Sequence, residues 1–195
     1  MTQARALRTA MSQHFGGPMG RTERDLLQLP ARGSLTLALA LLILLFDRRR
    51  ARAFLLVAVA LGVGVTGWVA KGLFGRERPA QTFHRTDTYR SLFTGPTHGF
   101  RSAHYQSFPS GHADGAGAHA VALSAFYPAW APVFWGIAVV SGAERVYHEK
   151  HFPSDVLAGL LLAQGLGGTL VRSPRLIHLG LRLTRSLGSP PPPSG

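Results

Sequence analysis

Pro109-Ser110-Gly111-His112 is a short polar stretch that runs directly into a long apolar segment. A proline and a serine ahead of an apolar run are typical of a helix start, with Ser110 as the N-cap. The first backbone N–H groups of such a helix lack partners within it and point at any anion placed there. Gly111 would let the backbone approach closely, and the imidazolium of His112 could protonate a leaving oxygen. The stretch alone favours an anion site and a simple capped helix with an interfacial histidine about equally.

The composition of the 195 residues argues against an ordinary soluble protein. Only 15% of the residues are charged, 46% are hydrophobic, and the formal net charge is +12. Such a basic balance is typical of proteins that contact nucleic acid, an anionic membrane surface or an anionic substrate. Because the apolar residues are grouped in blocks, nucleic acid is the least favoured of the three, and none is expected as a partner. Cysteine is absent, which excludes disulfides and cysteine-ligated metals.

Five blocks that are free of charged residues predict an all-α fold, a polytopic helical membrane bundle of about five to six transmembrane helices. The arginines of residues 48–52 separate the first two blocks, which favours a hairpin whose loop is cytoplasmic. The first block is short for a span, so a buried core helix remains an alternative there. The blocks are residues 33–46, 53–70, 115–126, 133–143 and 156–171.

These blocks divide the chain into three regions. Residues 1–30 are predicted to be an interfacial or flexible segment with a short amphipathic helix at 4–15, and residues 31–173 a membrane-embedded domain. Residues 174–195 read as a basic, proline-rich tail. Counting crossings from a cytoplasmic 48–52 loop brings the polar strings to one side of the membrane and the tail to the other.

A second polar string follows the second apolar block. Lys71 and Arg78 are seven residues apart, so a helix leaving the membrane would present both on one face. A planar guanidinium and a mobile ammonium can hold phosphate oxygens from different directions. Taken alone, a basic stop at the end of a membrane helix is the simpler interpretation.

The third polar string, residues 144–155, crowds charges and imidazoles between two apolar blocks. His151 and Asp155 are four residues apart, so the carboxylate could accept one ring N–H and leave the other nitrogen free to attack. Arg145 supplies a third cation. A charged external loop is the alternative, although ionisable groups at membrane depth are usually functional.

In this order, the motifs Lys-x6-Arg-Pro, Pro-Ser-Gly-His and Arg-x5-His-x3-Asp resemble those of the type 2 phosphatidic acid phosphatase superfamily, membrane lipid phosphatases related to vanadium haloperoxidases. The resemblance covers residues 35–171. It implies a membrane phosphatase without metal or other cofactor that hydrolyses a lipid phosphate or lipid pyrophosphate monoester. It also implies a bacterial inner membrane protein with its site on the periplasmic or outer face. The implied roles are nucleophile and phosphohistidine for His151, orienting partner for Asp155, general acid for His112, and phosphate binding for Lys71, Arg78, Ser110, Gly111 and Arg145.

Two features depart from the family pattern. Glu144 stands where the family usually has a serine before its arginine, and a carboxylate there should weaken anion binding unless it points away or pairs with Lys150. The chain also has five apolar blocks where many bacterial relatives have six spans.

Three other functions remain open at this point. They are transfer of the phosphoryl group to another lipid or sugar, haloperoxidase chemistry on bound vanadate, and non-catalytic binding of anionic lipid. The identity of the lipid is not encoded in a readable way. The long connection at residues 80–107 is expected to border the entrance, and its candidate selectors are Arg85, Tyr89, Arg90, Arg101 and Tyr105.

Overall fold

The computed structural model describes residues 21–80, 82 and 93–185. The helix predicted at residues 4–15 and the closing prolines lie outside this part of the chain. So do three of the candidate selectors, Arg85, Tyr89 and Arg90.

The described part of the chain is helical, and its extended pairing is limited to one isolated bridge between Arg76 and Phe93. The all-α prediction is therefore confirmed. The α-helices are α1 (Arg21–Gln28), α2 (Gly33–Phe46), α3 (Ala51–Phe74), α4 (Pro96–Gly99), α5 (Gly111–Phe126), α6 (Ala131–Tyr147), α7 (Pro153–Leu162), α8 (Gly168–Val171) and α9 (Pro174–Arg185). Short 3-10 turns occupy Leu29–Ala31, Ala103–Tyr105 and Pro128–Trp130, and a π-helical turn, Ala163–Gly167, joins α7 to α8.

The helix ends follow the signals in the sequence. Ser110 caps α5, because its side chain accepts a hydrogen bond from the backbone N–H of Ala113. Pro153 occupies the first turn of α7. At the other end of α3, Gly75 ends the helix in a left-handed conformation, φ 56°, which glycine adopts without steric cost. The two polar helix starts predicted from the sequence are confirmed.

Helix α5 forms the centre of the bundle and is buried along most of its length. It packs against α3, α6 and α7. The main apolar core lies between α3 and α5 and is built largely from β-branched and small side chains, among them Val59, Val63, Ala118, Val121 and Ala122. Small residues on α5 let the neighbouring helices approach closely, as is common in membrane bundles.

The predicted number of spans is not confirmed. Within the described residues, two helical segments, Ala51–Phe74 and Pro153–Val171, are long and apolar enough to cross a membrane. The pair Asp25–Ala31 and Gly33–Phe46 would add a third span if taken together, but it is bent by 67°. Helices α5 and α6 have 16 and 17 residues, roughly 25 Å at 1.5 Å per residue, which is less than the hydrocarbon thickness.

Segments that the sequence analysis assigned to a flexible N-terminus and a tail pack onto the bundle. The ring of His119 on α5 donates from Nδ1 to the carbonyl of Pro30 (2.8 Å) and, through Nε2, accepts from the hydroxyl of Thr36 (2.7 Å). At the other terminus, α9 buries Leu176 and Ile177 against the main core. The helical body therefore extends at least from α1 to α9.

Replacing Gly117 by alanine should destabilise the bundle. A methyl group on Gly117 would lie 2.7 Å from Cβ of Ala163, a short side chain that cannot swing away. We expect a loss of about 1–3 kcal/mol in unfolding free energy, as is typical of overpacking. Thermal unfolding of the detergent-solubilised protein measures it. Gly136→Ala, with no neighbouring atom within 4 Å, is the matched control. Equal melting of the two variants would contradict the tight contact between α5 and the π-helical turn.

Candidate active site

All three polar strings meet at one end of the bundle. Lys71 lies on the last turn of α3, His112 on the first turn of α5, Arg145 on the last turn of α6 and Asp155 on the first turn of α7. The antiparallel course of these helices brings two C-terminal and two N-terminal ends together.

His151 is buried, with one ring nitrogen held by the main chain. Its Nδ1 lies 2.7 Å from the carbonyl oxygen of Ser107. A carbonyl can only accept, so Nδ1 carries the proton and Nε2 keeps its lone pair. The hydrogen bond expected from His151 to Asp155 is not formed, since Nδ1 and the nearer carboxylate oxygen are 3.8 Å apart. Burial lowers the pKa of His151, which favours the neutral ring.

Asp155 instead contacts residues that surround His151. Its carboxylate is fully buried and accepts from the hydroxyl of Ser107 (2.6 Å) and from the backbone N–H of Phe152 (2.8 Å). The guanidinium of Arg76 forms a buried ion pair with the same carboxylate and stacks on the ring of Phe152, 4.1 Å from its centroid. Asp155 thus orients His151 through Ser107 rather than by touching it.

Arg76 and Ser107 are the site residues that the sequence analysis missed. Arg76 lies inside the string that holds Lys71 and Arg78, and Ser107 is the last residue of the 80–107 connection. Their contacts with Asp155 join positions 79 and 48 residues apart along the chain. The usable signal was local: Arg76 adds a further arginine to the string that holds Lys71 and Arg78.

His112 contacts a phosphate-binding candidate directly. Its Nε2 lies 3.1 Å from Nη1 of Arg145, and because a guanidinium only donates, Nε2 accepts and is unprotonated. Burial first, and then the charges of Arg145 and the other nearby cations, lower the pKa of His112 to about 4. His112 is therefore neutral at physiological pH.

Lys71 reaches the start of α5. Its ammonium donates to the carbonyl of Pro109, and a methyl group on Gly111 would lie only 3.2 Å from Nζ. Glycine at this position therefore leaves room for the cation beside the first turn. The hydroxyl of Ser110 is occupied as the cap of α5, and its backbone N–H donates to the carbonyl of Asp155 (2.9 Å).

Arg78 is fixed by main-chain carbonyls. It donates from Nε to Ala103 (2.9 Å) and from Nη1 to Lys150 (3.3 Å). Burial and the neighbouring Arg145 lower the pKa of Arg78, which indicates that the two guanidiniums are close. The site thus gathers three cations around two neutral imidazoles.

Glu144 is almost fully buried, 2% exposed, and is directed toward α1 as well as Arg145. Its Oε1 accepts from Nε2 of Gln28 (3.1 Å), and its Oε2 lies 3.2 Å from Nε of Arg145. His148, and not Lys150, is its neighbour in the following loop, at 3.4 Å. The carboxylate therefore lies along the Nε side of Arg145 while Nη1 faces His112.

Comparison with known proteins agrees with these motifs. A family model described as the PAP2 superfamily matches residues 51–176 of the chain, well over half of it. The chain belongs to the PAP2 superfamily. The matched segment contains all eight residues predicted for the site, and the family prediction is confirmed.

Two curated relatives and one solved structure are similar to this PAP2 superfamily chain. Proteins named lipid A 1-phosphatase from Rhizobium johnstonii and Rhizobium etli are 37% and 40% identical over 90 residues, which is 46% of this chain. The match spans only 34% and 36% of those relatives' own lengths. The crystal structure of Aquifex aeolicus LpxE superposes with a TM-score of 0.64 at 21% identity, covering 87% of this chain and 93% of that one. At that identity, the structural likeness concerns the fold.

Replacing Asp155 by asparagine should destabilise the folded protein strongly. The substitution leaves the guanidinium of Arg76 buried without its charged partner, and losing one partner of a buried pair costs about 3–5 kcal/mol. Chemical or thermal unfolding in detergent measures the loss. Asp25→Asn is the matched control, because its ion pair with Arg32 is exposed and should contribute almost nothing. Equal stability of the two variants would contradict the structural role of Asp155.

Binding of phosphate should be accompanied by proton uptake. The pKa of His112 is about 4, and a bound dianion would raise that pKa by opposite charge. We expect uptake of up to one proton per phosphate at pH 8, measured by calorimetry in buffers of different ionisation enthalpy. His112→Asn should abolish the uptake. Binding heats that do not depend on the buffer in the parent protein would contradict the assignment.

Proposed function

We propose that this PAP2 superfamily protein hydrolyses a phosphate monoester on a membrane lipid through a phosphohistidine at His151. The observation that carries the proposal is the tautomer of His151. Nδ1 keeps its proton and donates it in a hydrogen bond to the carbonyl of Ser107, so Nε2 is an unprotonated nucleophile at a site with three cations.

In the first step, the Nε2 lone pair of His151 attacks phosphorus in line with the bond to the lipid oxygen. Lys71, Arg78 and Arg145 stabilise the charge on the equatorial oxygens, the dominant contribution in phosphoryl transfer. The P–O bond breaks as the P–N bond forms. His112, protonated when the substrate dianion raises its pKa, gives its proton to the leaving lipid oxygen.

Protonation of His112 changes its contact with Arg145. A protonated imidazole has no acceptor left, so the 3.1 Å hydrogen bond from Nη1 of Arg145 cannot persist. Nη1 can then donate to the phosphate instead. Substrate binding thus exchanges a resting contact between two site residues for a contact with the ligand.

In the second step, water attacks the phosphohistidine. The neutral His112 takes a proton from that water, the P–N bond breaks, and the electron pair returns to Nε2 of His151. As phosphate leaves, the pKa of His112 falls again, its proton passes to solvent, and both histidines return to the neutral state. These steps use side chains alone, and we propose that no metal takes part.

Lipid A 1-phosphate is the first substrate to test. Two relatives carry that activity in their names, and the 90 matched residues include part of the PAP2 segment. The end of the bundle that holds Lys71, Arg78 and Arg145 would lie at the outer surface of the bacterial inner membrane, where a lipid phosphate can reach it from the side. A lipid pyrophosphate would present the same terminal group to the same cations.

His151→Ala should reduce turnover of lipid A 1-phosphate by at least about 10³-fold, because no nucleophile replaces the ring. Phosphate release by the detergent-purified protein, with EDTA present, measures it. His178→Ala, an exposed histidine on α9, is the matched control and should retain full activity.

The same assay separates hydrolysis from transfer. Free phosphate should appear in step with dephosphorylated lipid if water is the acceptor, and it should lag behind if a lipid or sugar takes the phosphoryl group. Undiminished turnover by His151→Ala would reject the phosphohistidine route. A lipid that binds the parent protein without any phosphate release would favour a non-catalytic membrane protein.

A further inference from the structure

A strongly basic surface lies at the end of the bundle away from the candidate active site. The arginines at this end are Arg48, Arg49, Arg50, Arg52, Arg172, Arg175, Arg182 and Arg185. Within the described residues, Asp47 is the acidic residue there, and it is already engaged. Its carboxylate accepts from Arg52 and from the hydroxyl of Tyr127, each at 2.8 Å. These contacts, with the backbone N–H of Arg49, lower the pKa of Asp47 to about 2 despite partial burial.

This basic surface and the active site are separated by the length of α3. Ala51 borders the arginines and Lys71 belongs to the site, twenty residues further along one helix. At 1.5 Å per residue that is about 30 Å, the thickness of the hydrocarbon core of a bilayer. The two cationic regions would therefore face opposite surfaces of the membrane.

A groove of about 1250 Å³ opens on the basic surface. Arg48, Arg49 and Arg172, which are all exposed, contribute to its lining. Its floor is apolar and includes Leu55 and Phe126. Guanidinium groups above an apolar floor match a ligand with an anionic head and a hydrophobic body.

An apolar cleft of about 730 Å³ adjoins the groove and shares Arg48, Arg49 and Arg52 with it. Leu39, Leu42 and Phe46 of α2 line the cleft. Phe46 is 80% exposed and Leu42 50% exposed on the outer side of the bundle. The shared arginines thus stand at the junction between a basic groove and an apolar channel along α2.

Helix α9 completes this surface as an amphipathic element. Leu176 and Ile177 pack on the main core, and a methyl group at Gly180 would lie 3.0 Å from the ring of Phe54 on α3. Arg175 and Arg182 lie on the opposite, exposed face. Because its apolar face packs on the bundle, α9 presents its basic face outward at this end of the protein.

From this arrangement we propose that the groove binds the headgroup of an anionic phospholipid, with one acyl chain in the cleft along α2. The exposed arginines supply the charge complement, and Asp47 does not compete for them. A soluble phosphate compound would satisfy the arginines but leave the apolar cleft unfilled. The occupant is therefore a lipid of the membrane leaflet opposite the active site, distinct from the substrate.

Two double variants of equal charge test the site. Arg48→Gln with Arg172→Gln changes the groove, whereas Arg175→Gln with Arg182→Gln changes the outer face of α9. Dioctanoyl phosphatidylglycerol is titrated into the detergent-purified full chain, and retained lipid is counted by native mass spectrometry. Each surface arginine contributes roughly a fivefold factor to binding of an anionic lipid, so the groove variant should bind about 30-fold more weakly. The control variant should bind as the parent does.

The outcomes divide as follows. Equal weakening of both double variants would overturn the proposal in favour of attraction spread over the surface, and unchanged binding by the groove variant would overturn it directly. Dioctanoyl phosphatidylcholine should not compete, and glycerol phosphate should compete only weakly; equal competition by glycerol phosphate would assign the groove to a free anion. If the double variant does not purify, the single variants Arg48→Gln and Arg172→Gln test the proposal. Each is expected to bind phosphatidylglycerol about fivefold more weakly than the parent.

This inference does not depend on the proposed phosphatase chemistry. His151→Ala should bind phosphatidylglycerol as tightly as the parent. The groove variant should hydrolyse its substrate at the parental rate in detergent that contains no anionic lipid. Loss of activity and loss of lipid binding are therefore separable, and either proposal can fail alone.

Discussion

The buried carboxylate of Asp155 is the constraint on which the rest of the site depends. It has no exposed surface, so its charge must be met inside the protein, and three segments meet it: the loop after α3 through Arg76, the segment before α5 through Ser107, and the start of α7 through Phe152. Moving any of the three would leave a polar group unpaired in a dry interior. Because all three segments must contact the same buried carboxylate, polar strings separated by dozens of residues converge on one pocket.

The sequence analysis predicted the residues of the site better than it predicted the contacts between them. Residue spacing placed Asp155 and His151 one helical turn apart and suggested a direct hydrogen bond. In the fold, Asp155 is at the third position of α7, where its carboxylate turns back to the N-terminal N–H of the helix, as in a capping box. Because the carboxylate of Asp155 accepts from the backbone N–H of Phe152, it is held away from the imidazole of His151. The carbonyl oxygen of Ser107 accepts the hydrogen bond from His151 instead. A pattern of side chains in the sequence cannot reveal such a backbone contact.

The same limit of sequence patterns explains why the predicted number of membrane spans is not confirmed. An uncharged block shows that a segment avoids charge, but not whether lipid or protein surrounds it. Helix α5 buries most of its surface against its neighbours and carries His119 in its middle, with both ring nitrogens paired to the segment around α2. A helix enclosed by other helices need not match the bilayer in length or hydropathy. The apolar face that meets the surroundings is supplied mainly by α2, α3, α6 and the α7–α8 segment, where exposed leucines, valines and aromatic residues concentrate.

Charge balance also accounts for the departure at Glu144. Four buried or half-buried cations close together would repel one another strongly in a region of low dielectric. Asp155 offsets Arg76, Glu144 lies along one edge of Arg145, and Arg78 donates to main-chain carbonyls. His112 contributes by staying neutral and accepting from the other edge of Arg145. In the proposed mechanism, a carboxylate beside Arg145 is compatible with phosphate binding. Glu144 lies on the Nε side of the guanidinium, and Nη1, which we propose donates to the phosphate, faces His112.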